Sequence, residues 1–311
     1  MDLSFILPAY NEELSIGGGI DSIYEFVPSE FSFEIIVVNN KSTDHTAEIA
    51  RRKNAIVIDS DADTISKLRN IGALTASGNI LVFVDADVEL TSGWESNIVT
   101  VIREMEMAKY QCIAGSHCIP KVNDGNYLSQ CWYLNMAKNI QSNSIGSAHM
   151  IISKSYFEEI GCFDEKLVTG EDHDICLRVK KSAGKLLIYE ELTVVHKDYP
   201  STVKEFIKRE VWHGLGDCLT VRGFLRSKVA IISQVLLLLS LGVLVCLIMG
   251  NIVCFMAFLV AILIVSMAVT WKKFSKLSIS CFLYNVFVMY VYFVARAISL
   301  YVPKSDIKGW K

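Results

Sequence analysis

Two clusters of carboxylates have the residue types and spacing to do chemistry. Asp85, Ala86 and Asp87 follow the apolar run Ile80–Val84, and the acidic run Gly170–Asp174 lies further along the chain. Paired aspartates suit Mg²⁺ or Mn²⁺, which usually bind through one or two carboxylates while substrate phosphates complete the coordination shell. The second cluster can handle a proton. The pattern predicts sugar transfer from a nucleotide-diphosphate sugar.

The elements that must position these residues alternate in type along the N-terminal part of the chain. Apolar strands are predicted at Leu3–Leu7, Glu34–Val38, Ala55–Ile58 and Ile80–Val84, and helices at Glu12–Phe26, Asp44–Lys53 (behind a Ser42/Thr43 cap) and Thr64–Ala76. This alternation is typical of a mostly parallel, Rossmann-like sheet covered by helices. Ligands bind beyond the carboxyl ends of such strands, so we expect Asn11, Asn39, Asn40 and the Asp85/Asp87 pair to converge.

Apolar residues concentrate after residue 228. Val229–Met249, Asn251–Thr270 and Ile279–Val302 are each about as long as the ~20 residues that cross a bilayer, which predicts an α-helical membrane domain of three spans. We expect Arg296, the one charged residue within them, to snorkel to the interface, with a lipid-phosphate contact as the alternative. The topology of the third span stays open.

Basic residues flank the first two spans, which predicts a cytoplasmic catalytic domain, and no signal peptide is expected. We predict a catalytic domain at 1–200, a juxtamembrane segment at 201–228, spans within 229–302 and a short tail at 303–311. The amphipathic pattern over 202–219 fits a helix on the membrane surface or one packed on the catalytic domain. The nine cysteines lack metal-ligand spacing, and we interpret them as reduced packing residues.

Over roughly residues 2–216 the chain resembles family-2 glycosyltransferases of the GT-A fold. The matching stretches occur in the family's order: Leu7–Glu12, Val37–Asp44, Arg69–Ala73, Asp85–Asp87, Gly161–Glu165, and Gly170–Asp174 with Arg178. The resemblance implies a GT-A catalytic domain and an inverting, metal-dependent enzyme that works in cell-envelope glycan synthesis. The alternative for the acidic run at 171–174 is a structural role, because the helix macrodipole favours acidic residues at the start of a helix.

The resemblance also implies roles for individual residues. Asp172 would be the general base, with Glu171 beside it raising its proton affinity. His196 resembles a late histidine that completes a metal site, although a capping or core histidine is the alternative. The metal ligands would be Asp85, Asp87 and His196; the donor-binding residues Pro8, Tyr10, Asn11, Glu12, Asn39, Asn40, Arg69, Asp85 and Ala86; and the acceptor-side residues Gly146, Arg209 and Trp212.

Several alternatives remain open at this stage. Asn39 and Asn40 stand where the family commonly has acidic residues for the nucleobase, so the donor base is not fixed. Arg209 and Trp212 lack the full Gln-x-x-Arg-Trp of processive polymerases, which favours transfer of a single sugar. The expected acceptor is lipid-linked: a polyprenyl phosphate, a lipid-linked glycan or a membrane lipid. No nucleic-acid partner is expected. The rival function is a non-catalytic nucleotide-sugar-binding or scaffold protein on the same fold.

Overall fold

The structure is a computed structural model that describes residues 1–121, 125–138, 144–217, 224–225, 227–274 and 277–302. The chain divides into two compact units. The first unit comprises Met1–Lys121 and Ile140–Asp198, and the second comprises Val122–Asn139 and Tyr199–Lys311. Residues 125–138 belong to the second of these units. The predicted tail at 303–311 lies outside the described residues.

Two sheets form the framework of the first unit. The strands are β1 Leu3–Ala9, β2 Phe33–Asn39, β3 Ile56–Asp59, β4 Ile80–Val84, β5 Val88–Leu90, β6 Cys112–Gly115, β7 Cys118–Pro120, β8 His149–Ser153, β9 Lys185–Ile188 and β10 Val194–His196. The main sheet has the order β3-β2-β1-β4-β8-β6-β9, and β1 to β4 are parallel within it. Strand β8 runs antiparallel to β4 and β6. A small sheet has the order β5-β10-β7.

Helices cover both faces of the main sheet. They are α1 Ile16–Phe26, α2 Thr46–Arg52, α3 Ile65–Thr75, α4 Ser92–Met107, α6 Lys154–Glu159 and α7 Glu171–Lys181. Alternate residues of β1 enter the two apolar cores: Phe5 and Leu7 join the core on one face and Ile6 the core on the other. Burial on both faces explains why these strands are almost wholly apolar.

The four predicted strands are confirmed to within two residues, whereas the three predicted helices begin one to four residues later than predicted. Helix α2 begins at Thr46 after His45, whose side chain makes no capping hydrogen bond, so Ser42 and Thr43 do not stand at the cap position. The Asp44 carboxylate accepts a hydrogen bond from the Thr46 backbone N–H at 3.0 Å. Helix α1 begins at Ile16 rather than at Glu12, whose backbone N–H donates to the Thr46 hydroxyl at 2.7 Å.

The second unit is helical. A π-helical segment at Leu128–Tyr133 continues into α5 Leu134–Lys138, followed by α8 Val203–Asp217, α9 Lys228–Ile248, α10 Ile252–Lys273 and α11 Ile279–Ile298. Helices α9, α10 and α11 are long and apolar enough to cross a membrane, which confirms the three predicted candidate spans. Side chains of Ser227, Asn251 and Ser278 cap their N-termini.

Three contacts of the second unit were not expected from the sequence. Arg296 Nε donates to the buried Glu210 carboxylate at 2.9 Å. Helix α8 contacts α11, and residues 218 and 219 of the predicted amphipathic segment lie outside the described residues. A disulfide joins Cys131 to Cys281, so these two cysteines are not reduced packing residues. The fold brings them together across 150 residues of sequence.

Candidate active site

The Asp85–Asp87 turn lies between β4 and β5, at the carboxyl edge of the parallel strands. The Val88 backbone N–H donates to the Asp85 carbonyl at 3.0 Å and closes the turn. Gly19 of α1 lies against this turn, where a Cβ would come within 3.2 Å of the carbonyl oxygens of Ala86 and Val88. Glycine therefore permits the close approach of α1. Ala86 is buried beneath the turn, and its neighbour Asp87 is 6% exposed.

The histidine predicted to complete the metal site does lie beside the two aspartates. Strand β10 pairs His196 with Val88 of β5, which places His196 Nδ1 3.4 Å from Asp87 Oδ2. Ligand atoms of Asp85, Asp87 and His196 all lie within 4.8 Å of one another. The other oxygen of Asp87, Oδ1, is buried and has no hydrogen-bond partner among the described residues. Two carboxylates and an imidazole fit Mg²⁺ or Mn²⁺, so the donor set matches the expected cation.

Arg69 connects the aspartate turn to the helix that carries the second acidic cluster. Its guanidinium is 2% exposed and donates from Nη2 to Asp85 Oδ1 and from Nη1 to Glu171 Oε1, each at 2.7 Å. Burial alone would lower the pKa of Arg69, but Asp85 and Glu171 raise it above its usual value. Glu171 also accepts a hydrogen bond from Ser147 at 2.9 Å. These bonds connect the aspartate turn to the start of α7.

Asp172 occupies the first turn of α7. The helix starts after Gly170, whose φ of +82° is a left-handed conformation that glycine adopts without strain. Burial, followed by the negative charge of Glu171, raises the pKa of Asp172, while a hydrogen bond from the His173 backbone N–H at 2.7 Å opposes the rise. One carboxylate oxygen lies 3.7 Å from the position that a Cβ on Gly146 would occupy. Gly146, the predicted acceptor-side residue of this unit, thus leaves space beside Asp172.

The motif Gly161–Glu165 has a structural role. The Asn70 side chain donates to the Phe163 carbonyl at 3.0 Å and accepts from the Phe163 backbone N–H at 3.1 Å. Arg178 of α7 donates to the carbonyls of Ile160 and Cys162 at 2.5 and 2.7 Å and to Asp174 at 2.8 Å. These bonds fix the loop that precedes α7 and therefore the position of Asp172.

The predicted donor-binding residues lie at the ends of β1 and β2. Pro8 is buried in β1, and Tyr10, Asn11 and Glu12 follow it. The Asn11 amide oxygen accepts from the Thr43 backbone N–H at 2.8 Å, and Asn40 is half-buried after β2.

The Asn39 amide nitrogen donates to Asp59 Oδ1 at 2.7 Å. Asp59 ends β3 and supplies an acidic group at this edge of the sheet that sequence reasoning missed. Its place as the last residue of a parallel strand was the available signal.

A buried histidine was also missed. His149 begins β8 opposite Val84, and the Trp94 indole donates to its Nε2 at 3.0 Å. The Ser116 hydroxyl lies 2.8 Å from its Nδ1. Burial lowers the pKa of His149 to about 3, so the imidazole is neutral and structural. Arg209 and Trp212, the remaining predicted residues, belong to α8 of the second unit.

A mostly parallel sheet that continues through an antiparallel strand, with an Asp-x-Asp turn after β4, defines a GT-A fold. The solved structure of GalNAc-T7 with UDP, GalNAc and Mn²⁺ is similar at a TM-score of 0.53 and 17% identity, over 69% of this chain and 50% of that chain. Staphylococcus aureus TarS 1–349 with UDP-GlcNAc gives a TM-score of 0.50 at 17% identity, over 73% of this chain and 68% of that one.

The model of glycosyl transferase family 2 matches residues 4–160, half of the chain, and the chain belongs to that family. Glycosyltransferase AglE of Haloferax volcanii is 23% identical over 69% of this chain and 72% of its own length. The 4,4'-diaponeurosporenoate glycosyltransferase of Staphylococcus aureus is 39% identical, but over 28% of this chain and 24% of its own length. Sugar transfer is therefore the class of activity.

Proposed function

We propose that the chain is a membrane-anchored, inverting glycosyltransferase that moves one sugar from a nucleotide-diphosphate sugar to a lipid-linked acceptor. The catalytic domain would lie on the cytoplasmic side, as the basic flanks of the first two spans predict. The observation that carries the proposal is the buried bridge from Arg69 to Asp85 and Glu171. It ties the aspartate turn to the helix that bears Asp172, so two chemically different carboxylate sites are held on one scaffold.

Asp172 is the proposed general base. A raised pKa makes its carboxylate a better proton acceptor than an ordinary aspartate, provided that the pH keeps it ionised. Glu171 is less suited to this role because Arg69 and Ser147 already bond its carboxylate. Its proposed task is to position Arg69 and to raise the proton affinity of its neighbour.

Asp85, Asp87 and His196 are the proposed ligands of Mg²⁺ or Mn²⁺. A cation bound there would neutralise the charge that grows on the leaving diphosphate. The buried Asp87 Oδ1, without a hydrogen-bond partner among the described residues, supports the assignment because an unsatisfied buried carboxylate oxygen is costly. The Mn²⁺ in the GalNAc-T7 structure agrees with the choice of cation.

The donor is proposed to bind with its base at the ends of β1, β2 and β3. Asn39 and Asp59 would together offer amide and carboxylate groups to the edge of a nucleobase, and the other predicted donor residues would line the same edge. UDP in the GalNAc-T7 structure and UDP-GlcNAc in the TarS structure favour uracil. The three apolar helices favour a lipid-linked acceptor, as does the diaponeurosporenoate named for the Staphylococcus relative.

The experiment is a donor panel. The full-length chain in neutral detergent is incubated with UDP-, GDP- and dTDP-sugars, a polyprenyl phosphate and Mn²⁺, and the released nucleotide and glycolipid are measured. We expect one donor class to give both products, and an Asp85→Asn/Asp87→Asn variant to give neither. Donor binding without any released nucleotide across the panel would favour the rival function of a non-catalytic binding protein.

A further inference from the structure

Three basic side chains of the second unit cluster on a set of aromatic rings. Arg209 of α8 lies 4.8 Å from the ring centre of Tyr199 and 5.5 Å from that of Tyr133. Lys273, at the end of α10, lies 5.2 Å from the Tyr292 ring and 5.4 Å from that of Trp132. Arg296 of α11 lies 5.1 Å from the same Tyr292 ring. We call Arg209, Lys273 and Arg296 the cationic cluster.

The cationic cluster carries an excess of positive charge. The acidic side chains that the structure describes in the second unit are Glu205 and Glu210. Glu205 accepts hydrogen bonds from Ser201 at the exposed start of α8, whereas Glu210 pairs with Arg296 at 2.9 Å. Among the side chains that the structure describes there, three basic groups face one carboxylate, that of Glu210.

The titratable groups facing the cluster do not remove this excess. His213 accepts a hydrogen bond from Arg209 Nε at 3.3 Å. Burial, then the charges of Arg209 and Arg296, hold the pKa of His213 well below its usual range, so the imidazole is neutral. A cation–π contact stabilises a cation but does not neutralise its charge.

Helix ends alone do not explain the arrangement. A lysine at the C-terminus of α10 is favoured by the helix dipole, and this applies equally to Lys272 and Lys273. Lys272 is exposed, whereas Lys273 is half-buried among the rings of Trp132 and Tyr292. An anion held by the cluster would give this inward orientation a physical reason, because arginine and lysine bind phosphate through charge-assisted hydrogen bonds.

We propose that the cationic cluster binds the phosphate head group of a lipid whose hydrocarbon chain lies along the apolar candidate spans. Arg209 and Lys273 would contact the phosphate oxygens, the aromatic rings would flank the first carbons of the lipid, and Arg296 would be held in place by Glu210. The proposal rests on the proposed transfer to a lipid-linked acceptor, and it specifies that acceptor as one that carries a phosphate.

The test is calorimetric titration of the full-length chain in neutral detergent with farnesyl phosphate, farnesol and inorganic phosphate. We expect farnesyl phosphate to bind at least tenfold more tightly than either of the other two, since both the charge and the chain contribute. Lys273→Gln should weaken farnesyl phosphate binding by about 10–100-fold, the range for a hydrogen bond between charged groups. Lys272→Gln, the matched control one residue away, should bind as the wild type does, and Lys273→Arg should restore most of the affinity.

Two results would overturn the site. One is farnesol or inorganic phosphate binding as tightly as farnesyl phosphate; the other is an equal effect of Lys272→Gln and Lys273→Gln. Nucleotide release from the donor panel, measured on the same samples, separates this failure from failure of the proposed function. Equally fast transfer to lipid in the Lys272→Gln and Lys273→Gln variants would refute the phosphate site but keep the proposed function. Phosphate-dependent binding without any transfer would support the site but refute the proposed function.

Discussion

Replacement of Arg69 by glutamine should destabilise the first unit strongly. The guanidinium is 2% exposed and is the shared partner of Asp85 and Glu171 at 2.7 Å. Removing one partner of a buried ion pair costs about 3–5 kcal/mol, because the remaining charge is left uncompensated. Asp85 has a side chain that is 16% exposed and can recover some solvation. We therefore expect a loss near the lower limit, about 3 kcal/mol at neutral pH.

Thermal unfolding in neutral detergent measures this loss. For a unit of this size each kcal/mol shifts the melting temperature by about 2–4 °C, so the predicted shift is about 6–12 °C. Arg51→Gln is the matched control, because it removes an arginine whose bond to Asp59 is exposed. The control should lose less than about 1 kcal/mol, as surface ion pairs do.

The destabilisation should also depend on pH. Without Arg69, the carboxylates of Asp85 and Glu171 are left without their shared counterion, and this cost falls when acid neutralises them. The deficit of the variant should therefore shrink as the pH falls from 8 to 5. A melting temperature within about 2 °C of the wild type, or a deficit that does not change with pH, would refute the buried-bridge argument.

Three further predictions concern the cation, a buried histidine and the disulfide. EDTA should abolish transfer, and Asp87→Asn should weaken Mn²⁺ binding in an electron paramagnetic resonance titration at least tenfold while the exposed Asp61→Asn does not; full turnover in EDTA would contradict the metal role. The pKa of His149 is about 3 in the fold and 6.5 in the unfolded chain, so acid protonates this imidazole in the unfolded chain before it does so in the fold. The free energy of unfolding should therefore fall by ~1.5 kcal/mol from pH 6.5 to pH 5. His149→Gln should flatten that slope, and an unchanged slope would assign it to other groups. Reduction should lower the melting temperature of the wild type but not that of Cys131→Ser, and an equal shift in both would exclude the Cys131–Cys281 bond as its cause.

The sequence predicted the parallel sheet well because its inner parallel strands β1, β2 and β4 are mostly apolar. Asp85, Asp87 and Asn39 lie at the carboxyl ends of parallel strands, and these ends share one edge of the sheet, so their proximity could be predicted. His196 was located beside the aspartates through its family resemblance, and the pairing of β10 with β5 supplies the physical reason.

Contacts between distant residues were harder to predict. Nothing in the local sequence indicates that Arg69 bonds Glu171 across 102 residues, or that Asp59 meets Asn39. The same holds for the Arg296–Glu210 pair, since an arginine near a helix end is also compatible with snorkelling. Side-chain partners of this kind depend on tertiary packing, which periodicity and capping patterns do not encode.

The central claim, that Asp172 is the general base, is tested most directly by the turnover of Asp172→Asn at saturating donor, alongside Glu171→Gln and Asp174→Asn. The amide keeps the shape and most hydrogen bonds of the carboxylate but cannot accept the proton, so kcat should fall by about 10²–10⁴-fold while the affinity for the nucleotide-sugar stays close to that of the wild type. Asp174→Asn, which loses a charge in the same helical turn, should retain far more of the turnover. A kcat of Asp172→Asn within about twofold of the wild type would contradict the account and move the base to another carboxylate.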